Sequence, residues 1–342
     1  MTLIDALHIN DSGGKILLDY LIKSIEETNI KVTYILDERI KGSHVIITNN
    51  NVIYIKSTFV NRLLFYLRNK NRFQKVFCFG NIPPPINLKA RSYTYFHQKL
   101  FLFIPRELKF KTKLILFIKS KVIKQLSNNT DFWIVQSNLM KHDLLNKFNN
   151  NSDSKVLVHP FYPPLNHFSK VSTLRTPKSF LYVSNYQPHK NFENLINAFK
   201  LFYDEYKKGE LHLTLVNNES KIIVKINNLI SKGYPIINHG FINRDSLTTI
   251  YRQSEFIIYP SLVESFGLGI IEGIENGCKV MGADLPYTYA ICKPSISFNP
   301  KLVKSIIKAF ETALNTKSII KTEQLVFNEI DSIKRLIGKN DI

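Results

Sequence analysis

Short runs of β-branched and aromatic residues alternate with helix-forming segments along most of this chain, and this alternation is the feature that most limits its fold. One series runs from LIDALHI (3–9) to KVLVH (155–159), and a second runs from SFLYVS (179–184) to KVMGA (279–283). Such strands, with helices between them, are typical of parallel sheets covered on both faces. The two series predict two doubly wound α/β domains.

The predicted elements follow one another without an internal repeat. Strands are predicted at 3–9, 31–36, 52–55, 75–79, 92–96, 131–135, 155–159, 179–184, 211–216, 235–240, 255–260 and 279–283. Helices are predicted at 14–28, 57–71, 106–127, 138–148, 191–207, 219–232, 244–253 and 267–276. Residues 160–178 contain four prolines and no helical period, which predicts a seam there. We therefore expect domains at 1–165 and 166–342, with a terminal helix that packs back on the first domain.

The composition limits the class of protein and its partners. Apolar residues make up 44 % of 342 residues, enough for two cores, and three cysteines fit a reducing compartment better than a disulfide framework. The amino terminus lacks the pattern of a signal peptide, and no apolar run has the length of a membrane span. The formal charge of +19 indicates an anionic partner, which is nucleic acid, a phosphorylated ligand or an acidic membrane surface.

The segment YPSLVESFGLGIIEGIENG (259–277) places Glu264 and Glu272 around a glycine-rich turn. It predicts a strand, a loop and a helix that begins at Gly267 and ends at an Asn-Gly cap. Loops that follow parallel strands bind ligands in open α/β sheets, so this turn is a candidate site. The residues predicted to face the sheet, by their helical spacing, are Leu268, Ile271 and Ile274.

Backbone amides at the start of this helix form a candidate diphosphate site, because helix amino termini attract anions. They belong to Ser265, Phe266, Gly267 and Leu268. Gly267 and Gly269 are expected to let a ligand approach the backbone closely. Glu272 would accept hydrogen bonds from a ribose and Glu264 would meet a hexose, so the two acids would bracket one nucleotide sugar. An ordinary helix with one surface acid and one acid that favours the helix dipole fits the same pattern.

The segment resembles the E-x7-E region of the retaining glycosyltransferases of family 4, which have the GT-B fold. Residues 131–148, 180–199 and 236–261 are similar to further parts of these enzymes, in the expected order. The similar segments cover most of residues 130–290. The resemblance implies an α/β GT-B architecture, in which two Rossmann-like domains face each other across a cleft. The amino-terminal domain would bind the acceptor and the carboxyl-terminal domain the nucleotide sugar.

The resemblance also implies roles for residues of the second domain. Glu264 would contact hydroxyls of the donor sugar, Glu272 the ribose, and Lys190 the diphosphate. A lysine in a loop after a parallel strand suits a leaving group whose negative charge grows. Asn185, a donor-binding position, stands where the family usually has arginine, and Ala290 stands where many relatives have glutamate. The phosphate contact that this arginine would make is then weaker, or another residue makes it. Arg244 and Lys15 are the candidates.

In the first domain, Gly13 and Gly14 match the first loop of the family's amino-terminal domain, which approaches the donor. His97 resembles the family histidine near the reacting sugar. The glycines are not a P-loop, because Ile9 stands where its first glycine is needed. The alternatives are that Gly13 and Gly14 form a plain turn before a helix and that His97 is only packed in the fold. The sequence has no Asp-x-Asp, which argues against the metal-dependent GT-A fold, and no histidine cluster suggests a metal site. We expect no metal and no cofactor.

Residues 106–124 hold seven Lys or Arg and one Glu, with interleaved apolar residues. This pattern predicts a basic amphipathic helix that lies on an anionic membrane surface, and a solvated helix face is the alternative. A nucleic-acid surface is disfavoured, because the charge belongs to no recognisable nucleic-acid module.

These observations predict a retaining hexosyltransferase that uses a nucleotide diphosphate sugar and a hydroxyl acceptor. The acceptor is expected to be a lipid-linked saccharide of lipopolysaccharide, O-antigen or capsule assembly, at the cytoplasmic face of the plasma membrane. Two alternatives stay open at this stage, a non-catalytic subunit that binds nucleotide sugars and a sugar-nucleotide epimerase on the same fold.

Overall fold

A computed structural model of the chain describes residues 1–148, 152–165, 174–216, 220–316 and 318–338. The chain divides into two units. The first comprises residues 1–104, 109–163 and 327 onward, and the second comprises residues 105–108 and 164–326. Of the predicted seam, residues 166–173 lie outside the described residues.

The described residues form strands and helices that are numbered here in chain order. The strands are β1 (Thr2–Asp5), β2 (Val32–Asp37), β3 (Asn51–Ile55), β4 (Lys75–Cys78), β5 (Arg91–Phe96), β6 (Phe132–Val135), β7 (Val156–Val158), β8 (Thr176–Tyr182), β9 (Glu210–Leu213), β10 (Ile236–Asn238), β11 (Ser254–Tyr259), β12 (Lys279–Ala283), β13 (Cys292–Lys293), β14 (Ile296–Phe298) and β15 (Glu323–Gln324). The helices are α1 (Ser12–Glu26), α2 (Phe59–Asn69), α3 (Phe110–Leu126), α4 (Asn138–Phe148), α5 (Phe192–Tyr206), α6 (Lys221–Ser231), α7 (Arg244–Gln253), α8 (Leu268–Glu275), α9 (Pro286–Tyr289), α10 (Val303–Asn315) and α11 (Ile330–Gly338).

Each unit is built on its own parallel sheet. The strand order is β3-β2-β1-β4-β5-β6-β7 in the first unit and β10-β9-β8-β11-β12-β14 in the second. In both sheets the strand order reverses, between β1 and β4 and between β8 and β11. Ligands of open α/β sheets bind beside the carboxyl ends of the strands at such a reversal. The prediction of two doubly wound α/β domains is confirmed.

The terminal helix α11 lies in the first unit. The hydroxyl of Thr2 donates to the carbonyl of Ile337 at 2.9 Å, and the ammonium of Lys75 donates to the carbonyl of Leu336 at 3.2 Å. These contacts connect α11 to β1 and β4, at the opposite end of these strands from the candidate ligand loops.

A buried ion pair joins β1 to α2 in the first unit. The guanidinium of Arg62 donates to the carboxylate of Asp5 at 2.8 Å, and both side chains are almost fully buried. Arg62 also donates to the carbonyls of Ile82 and Pro83, at 2.9 and 2.8 Å. The hydroxyl of Tyr66 donates to the same carboxylate at 2.7 Å. The network therefore holds α2 against both β1 and the loop after β4.

Helix α8 buries a different face from the predicted one. Ile271 is buried as expected, but Leu268 and Ile274 are only partly buried, and Ile270 is fully buried instead. Nearly every residue of α8 is apolar or glycine, so apolar spacing alone does not select a face.

The region after residue 283 contains elements that were not predicted. The strands β13, β14 and β15 have only two or three residues each, which is too short for a recognisable alternation. The helix α10 does have a clear period, since it buries Ile306, Ala309, Phe310 and Ala313. Helix α3 begins at Phe110, later than predicted. Among the described residues, no helix is long and apolar enough to cross a membrane.

Candidate active site

The loop after β8 carries Lys190 and is tied to the loop after β11. Lys190 ends a short 3-10 turn, and Asn191 follows it with a left-handed backbone (φ 58°). The side-chain amide of Asn191 donates to the carbonyl of Pro260 at 3.1 Å, and the backbone amide of Leu262 donates to the carbonyl of His189 at 2.8 Å. Hydrogen bonds in both directions therefore fix the two loops to each other at the reversal of the second sheet.

Lys190 and Glu264 contact each other directly between these loops. The ammonium of Lys190 lies 2.6 Å from Oε1 of Glu264, and the two side chains are 17 % and 10 % exposed. The hydroxyl of Tyr182 donates to the carbonyl of Lys190 at 3.0 Å and lies 2.8 Å from the hydroxyl of Ser261. The residues predicted to meet the diphosphate and the sugar thus form one ion pair in a partly desolvated position, where electrostatic interactions are stronger than in bulk water.

The glycines of the motif serve packing, which corrects the prediction for Gly269. A Cβ on Gly269 would lie 2.0 Å from the hydroxyl of Tyr259, and a Cβ on Gly273 would lie 2.4 Å from Cδ1 of Ile257. These two glycines, one helical turn apart, let α8 pack closely on β11. Gly267 precedes the helix with φ +67°, a conformation that favours glycine. Gly269 therefore faces the strand and is not available for the approach of a ligand.

Glu272 is a buried carboxylate with partners on α7. It is 3 % exposed, and Oε1 lies 2.6 Å from the guanidinium of Arg244. The hydroxyl of Tyr251 donates to Oε2 at 3.1 Å. Burial raises the pKa of Glu272, and the Arg244 guanidinium opposes this shift by favouring the charged carboxylate. A ribose that binds Glu272 would therefore meet a carboxylate that is already held in place by Arg244.

A second candidate group lies at the carboxyl ends of β1, β4 and β5 in the first unit. A Cβ on Gly14 would lie 3.4 Å from Nε2 of His97, so these two predicted residues are neighbours, while a Cβ on Gly13 would meet open space. Asn81 has a left-handed backbone (φ 67°), and its Oδ1 accepts from the backbone amide of His97 at 2.7 Å. Burial lowers the pKa of His97 to about 4, so its ring is neutral at pH 7.

Asn81 also determines which nitrogen of His97 carries the proton. Because Oδ1 accepts from the backbone, the side-chain NH₂ is the group that faces Nε2 of His97, at 3.4 Å. Nε2 then acts as the acceptor and Nδ1 carries the hydrogen. Among the described residues Nδ1 is buried and has no hydrogen-bond partner. His97 is therefore a neutral side chain with an unused N–H donor.

The remaining predicted residues lie in or next to the loops and helices described above. Asn185 is exposed in the loop after β8, Ser265 is partly buried, and Phe266 is buried beside the start of α8. Lys15, one candidate for the missing phosphate contact, lies 2.6 Å from Asp19, whereas the other, Arg244, pairs with Glu272. Ala290 follows α9. Among the described residues, no group of three or more His, Cys, Asp or Glu side chains is arranged to bind a metal ion.

Sequence reasoning missed two residues of these groups, Tyr182 and Asn81, and assigned Arg244 to a different partner. Tyr182 reaches the loops after β8 and β11 from within β8, and its position in an apolar strand gave no signal. Arg244 was considered for a phosphate and not for Glu272. Asn81 had a detectable signal, because an Asn after a Gly at the end of a strand is typical of a left-handed turn.

Comparisons with known proteins show what the chain is similar to. Residues 166–326 match the family model of glycosyl transferases group 1. The chain is 27 % identical over 138 residues to the serotype-specific mannosyltransferase WbdA of Escherichia coli, which is 39 % of this chain and 17 % of WbdA. It is 22 % identical over 204 residues to the O-antigen chain mannosyltransferase RfbU of Salmonella typhimurium, which is 57 % of this chain and 55 % of RfbU. The chain thus spans a minor part of WbdA and about half of RfbU.

The fold is shared with solved glycosyltransferase structures. Sucrose-phosphate synthase from Thermosynechococcus elongatus superposes with a TM-score of 0.70 at 14 % sequence identity, over 92 % of this chain and 89 % of that one. The predicted GT-B fold and the predicted resemblance to these transferases are therefore confirmed. Residues 166–326 thus resemble the glycosyl transferases group 1 family, in a chain that has the GT-B fold.

Proposed function

We propose that this chain transfers a hexosyl unit from a nucleotide diphosphate sugar to a hydroxyl acceptor, with retention of configuration. The acceptor is a lipid-linked saccharide in the assembly of a bacterial surface polysaccharide, such as an O-antigen or a capsule. The observation that carries the proposal is the 2.6 Å contact between Lys190 and Glu264 at the reversal of the second sheet, inside the segment that matches the family.

The proposed mechanism follows from the charge that develops on the leaving group. As the sugar–phosphate bond breaks, negative charge grows on the diphosphate, and the ammonium of Lys190 and the amides at the start of α8 stabilise it. Glu264 accepts hydrogen bonds from sugar hydroxyls and keeps Lys190 oriented. The leaving phosphate helps to deprotonate the acceptor on the same face of the sugar, which gives retention. From the resemblance we also propose that the neutral ring of His97 contacts a sugar hydroxyl.

A donor screen followed by product analysis tests this proposal. Thermal shifts with UDP, GDP and dTDP sugars identify the donor, since a ligand that binds the folded state raises the melting temperature. Mannosyl donors come first, because the two sequence relatives are named mannosyltransferases. The anomeric configuration of the product then tests retention. Stabilisation without any transfer or donor hydrolysis would favour a binding subunit, and an isomerised nucleotide sugar would identify an epimerase.

Glu272→Ala should weaken the binding of the free nucleoside diphosphate, because it removes the acceptor proposed for the ribose hydroxyls. We expect a loss of roughly 1–3 kcal/mol in calorimetric affinity. Affinity should also fall as the pH decreases through the pKa of Glu272, since protonation removes acceptor capacity. In Arg244→Ala this fall should begin at a higher pH, because the guanidinium no longer favours the carboxylate.

Arg244→Lys is the matched control, because it keeps a positive charge and should shift the pH profile less than Arg244→Ala. An affinity that is unchanged in Glu272→Ala would remove the ribose assignment. If the affinity of Arg244→Ala for the nucleotide depends on pH in the same way as that of the parent, Arg244 does not influence nucleotide binding through Glu272.

We further propose that α3 binds the anionic inner face of the plasma membrane and brings the enzyme to a lipid-linked acceptor. The triple variant Lys109→Glu, Lys111→Glu, Lys113→Glu should be released from acidic vesicles, since each basic residue near such a surface contributes about 1 kcal/mol. Co-sedimentation with vesicles measures the effect. The control changes three exposed lysines of the second unit in the same way, Lys301→Glu, Lys304→Glu and Lys308→Glu. Equal release of both variants would contradict a specific role for α3.

A further inference from the structure

Helix α2 exposes an apolar stripe on the side that faces away from its sheet. Val60, Leu64 and Leu67 recur at the spacing i, i+4, i+7 and are between 41 % and 61 % exposed. On the opposite side of the helix, Arg62 and Tyr66 are almost fully buried. Single exposed apolar residues are ordinary, but a continuous stripe of them marks an interaction surface.

Helix α3 has the same arrangement. Phe110, Leu114 and Phe117 have the same i, i+4, i+7 spacing, and Phe110 is 81 % exposed. The ammonium of Lys121 lies 5.4 Å from the centre of the Phe117 ring. On the other side of the helix, Ile123 is fully buried. Two helices of the first unit thus combine a buried inner side with an apolar outer stripe.

Both helices cover the same face of the first sheet. Asp5 and Cys78, which contact α2, are paired across β1 and β4, so their side chains point to one face. Cys78 is paired with Thr94, and Phe96 lies two residues further along the same strand. Phe96 therefore points to that face too, and it belongs to the cluster that contains Ile123 of α3.

Helix α4 is an internal reference, because it lies on this face as well. Its buried residues Met140 and Leu144 belong to the same cluster as Phe96. Its outward residues are polar, as expected for a helix in water; they are Asn138, His142, Asn146 and Lys147. Apolar outward residues are therefore a property of α2 and α3 and not of every helix on this face.

Charge indicates what covers the two stripes. Besides the buried Arg62, residues 56–72 around α2 contain four exposed Lys or Arg and no acid, and residues 109–124 around α3 contain six Lys and no acid. An isologous dimer through this surface would place like charges opposite each other. Nucleic acid would attract the charge but would not cover apolar stripes. An anionic bilayer satisfies both features, because its headgroups attract cations while its acyl region accepts apolar side chains.

We propose that α2 is a second lipid-contacting helix, and that α2 and α3 together dock the first unit on an anionic bilayer. Two helices define a plane, so the unit would lie on the membrane in one orientation. This inference extends the docking of α3 proposed above. Its test uses lipid without donor or acceptor, so its failure is distinguishable from a failure of the transferase proposal.

The first test measures partition to vesicles of phosphatidylglycerol and phosphatidylcholine. Val60→Ser, Leu64→Ser and Leu67→Ser combined should weaken partition by about tenfold or more, from the apolar area that no longer inserts. The matched control replaces exposed apolar residues on helices of the second unit, Leu201→Ser and Val224→Ser, and should leave partition unchanged. Equal partition of the α2 variant and the parent would overturn the proposal.

The second test does not depend on loss of binding. The three native cysteines are buried, so an environment-sensitive dye can be attached selectively to Leu64→Cys, to Leu114→Cys or, as a control on α5 of the second unit, to Leu201→Cys. Acidic vesicles should brighten the dye and shift its emission to the blue at positions 64 and 114 but not at 201. A response at 114 alone would exclude α2. A response at 64 that appears without lipid and increases with protein concentration would identify self-association instead.

Discussion

Lys190→Ala should lower kcat for sugar transfer by at least about 100-fold, the effect of losing one preorganised group that stabilises developing charge. The interaction of Lys190 with the diphosphate strengthens as the sugar bond breaks, so its loss appears mainly in kcat. The measurement is the transfer rate at saturating donor. Lys200→Ala, an exposed lysine on α5 that pairs only at the surface, is the control and should transfer at the parental rate.

Glu264→Ala should also depress transfer but should leave affinity for the free nucleoside diphosphate nearly intact, because Glu264 is proposed to meet the sugar. The contact between Glu264 and Lys190 adds a further expectation. Residues in contact are not independent, so the double variant should lose less than the product of the two single losses. Parental transfer by Glu264→Ala would refute the sugar-site assignment. Parental transfer by both single variants would favour the binding-subunit alternative.

Arg62→Met should destabilise the first unit by about 3–5 kcal/mol, the typical result of leaving one partner of a buried ion pair uncompensated. Asp5 would keep the Tyr66 hydroxyl and the Leu7 amide as donors, but the carbonyls of Ile82 and Pro83 would lose their donor. Urea unfolding monitored by Trp133 fluorescence measures the change. Trp133 is the single tryptophan of the chain and lies in β6, so its signal reports on the first unit.

Two further variants test whether the stability loss in Arg62→Met comes from the buried, unpaired charge. Lys200→Ala breaks an exposed ion pair with Asp204 and should change stability by no more than about 1 kcal/mol. The double variant Asp5→Leu, Arg62→Met removes both charges and should recover much of the stability that Arg62→Met loses. A small loss in Arg62→Met would mean that the buried pair contributes little to holding α2 on β1.

Local sequence predicted which loops form the candidate site, but not which side chains contact each other there. The glycine-rich turn and the lysine loop each follow a strand, and the resemblance to family 4 glycosyltransferases implied that Lys190 and Glu264 meet one donor. Their direct contact was not expected, because 74 residues separate them and the distance depends on how β8 and β11 align. The partner of Glu272 was missed for the same reason, since Arg244 lies on another helix.

By itself, the sequence determined the order of strands and helices up to residue 283, the two doubly wound domains and the positions of the candidate loops. These features depend on local periodicity and on turn residues, which act within a few neighbours along the chain. Only the tertiary structure decided which side of α8 faces β11, because close approach at Gly269 and Gly273 outweighs an apolar pattern without a clear period. It also decided that the apolar residues of α2 and α3 stay exposed on one face of a sheet, because burial depends on which elements are left to cover them.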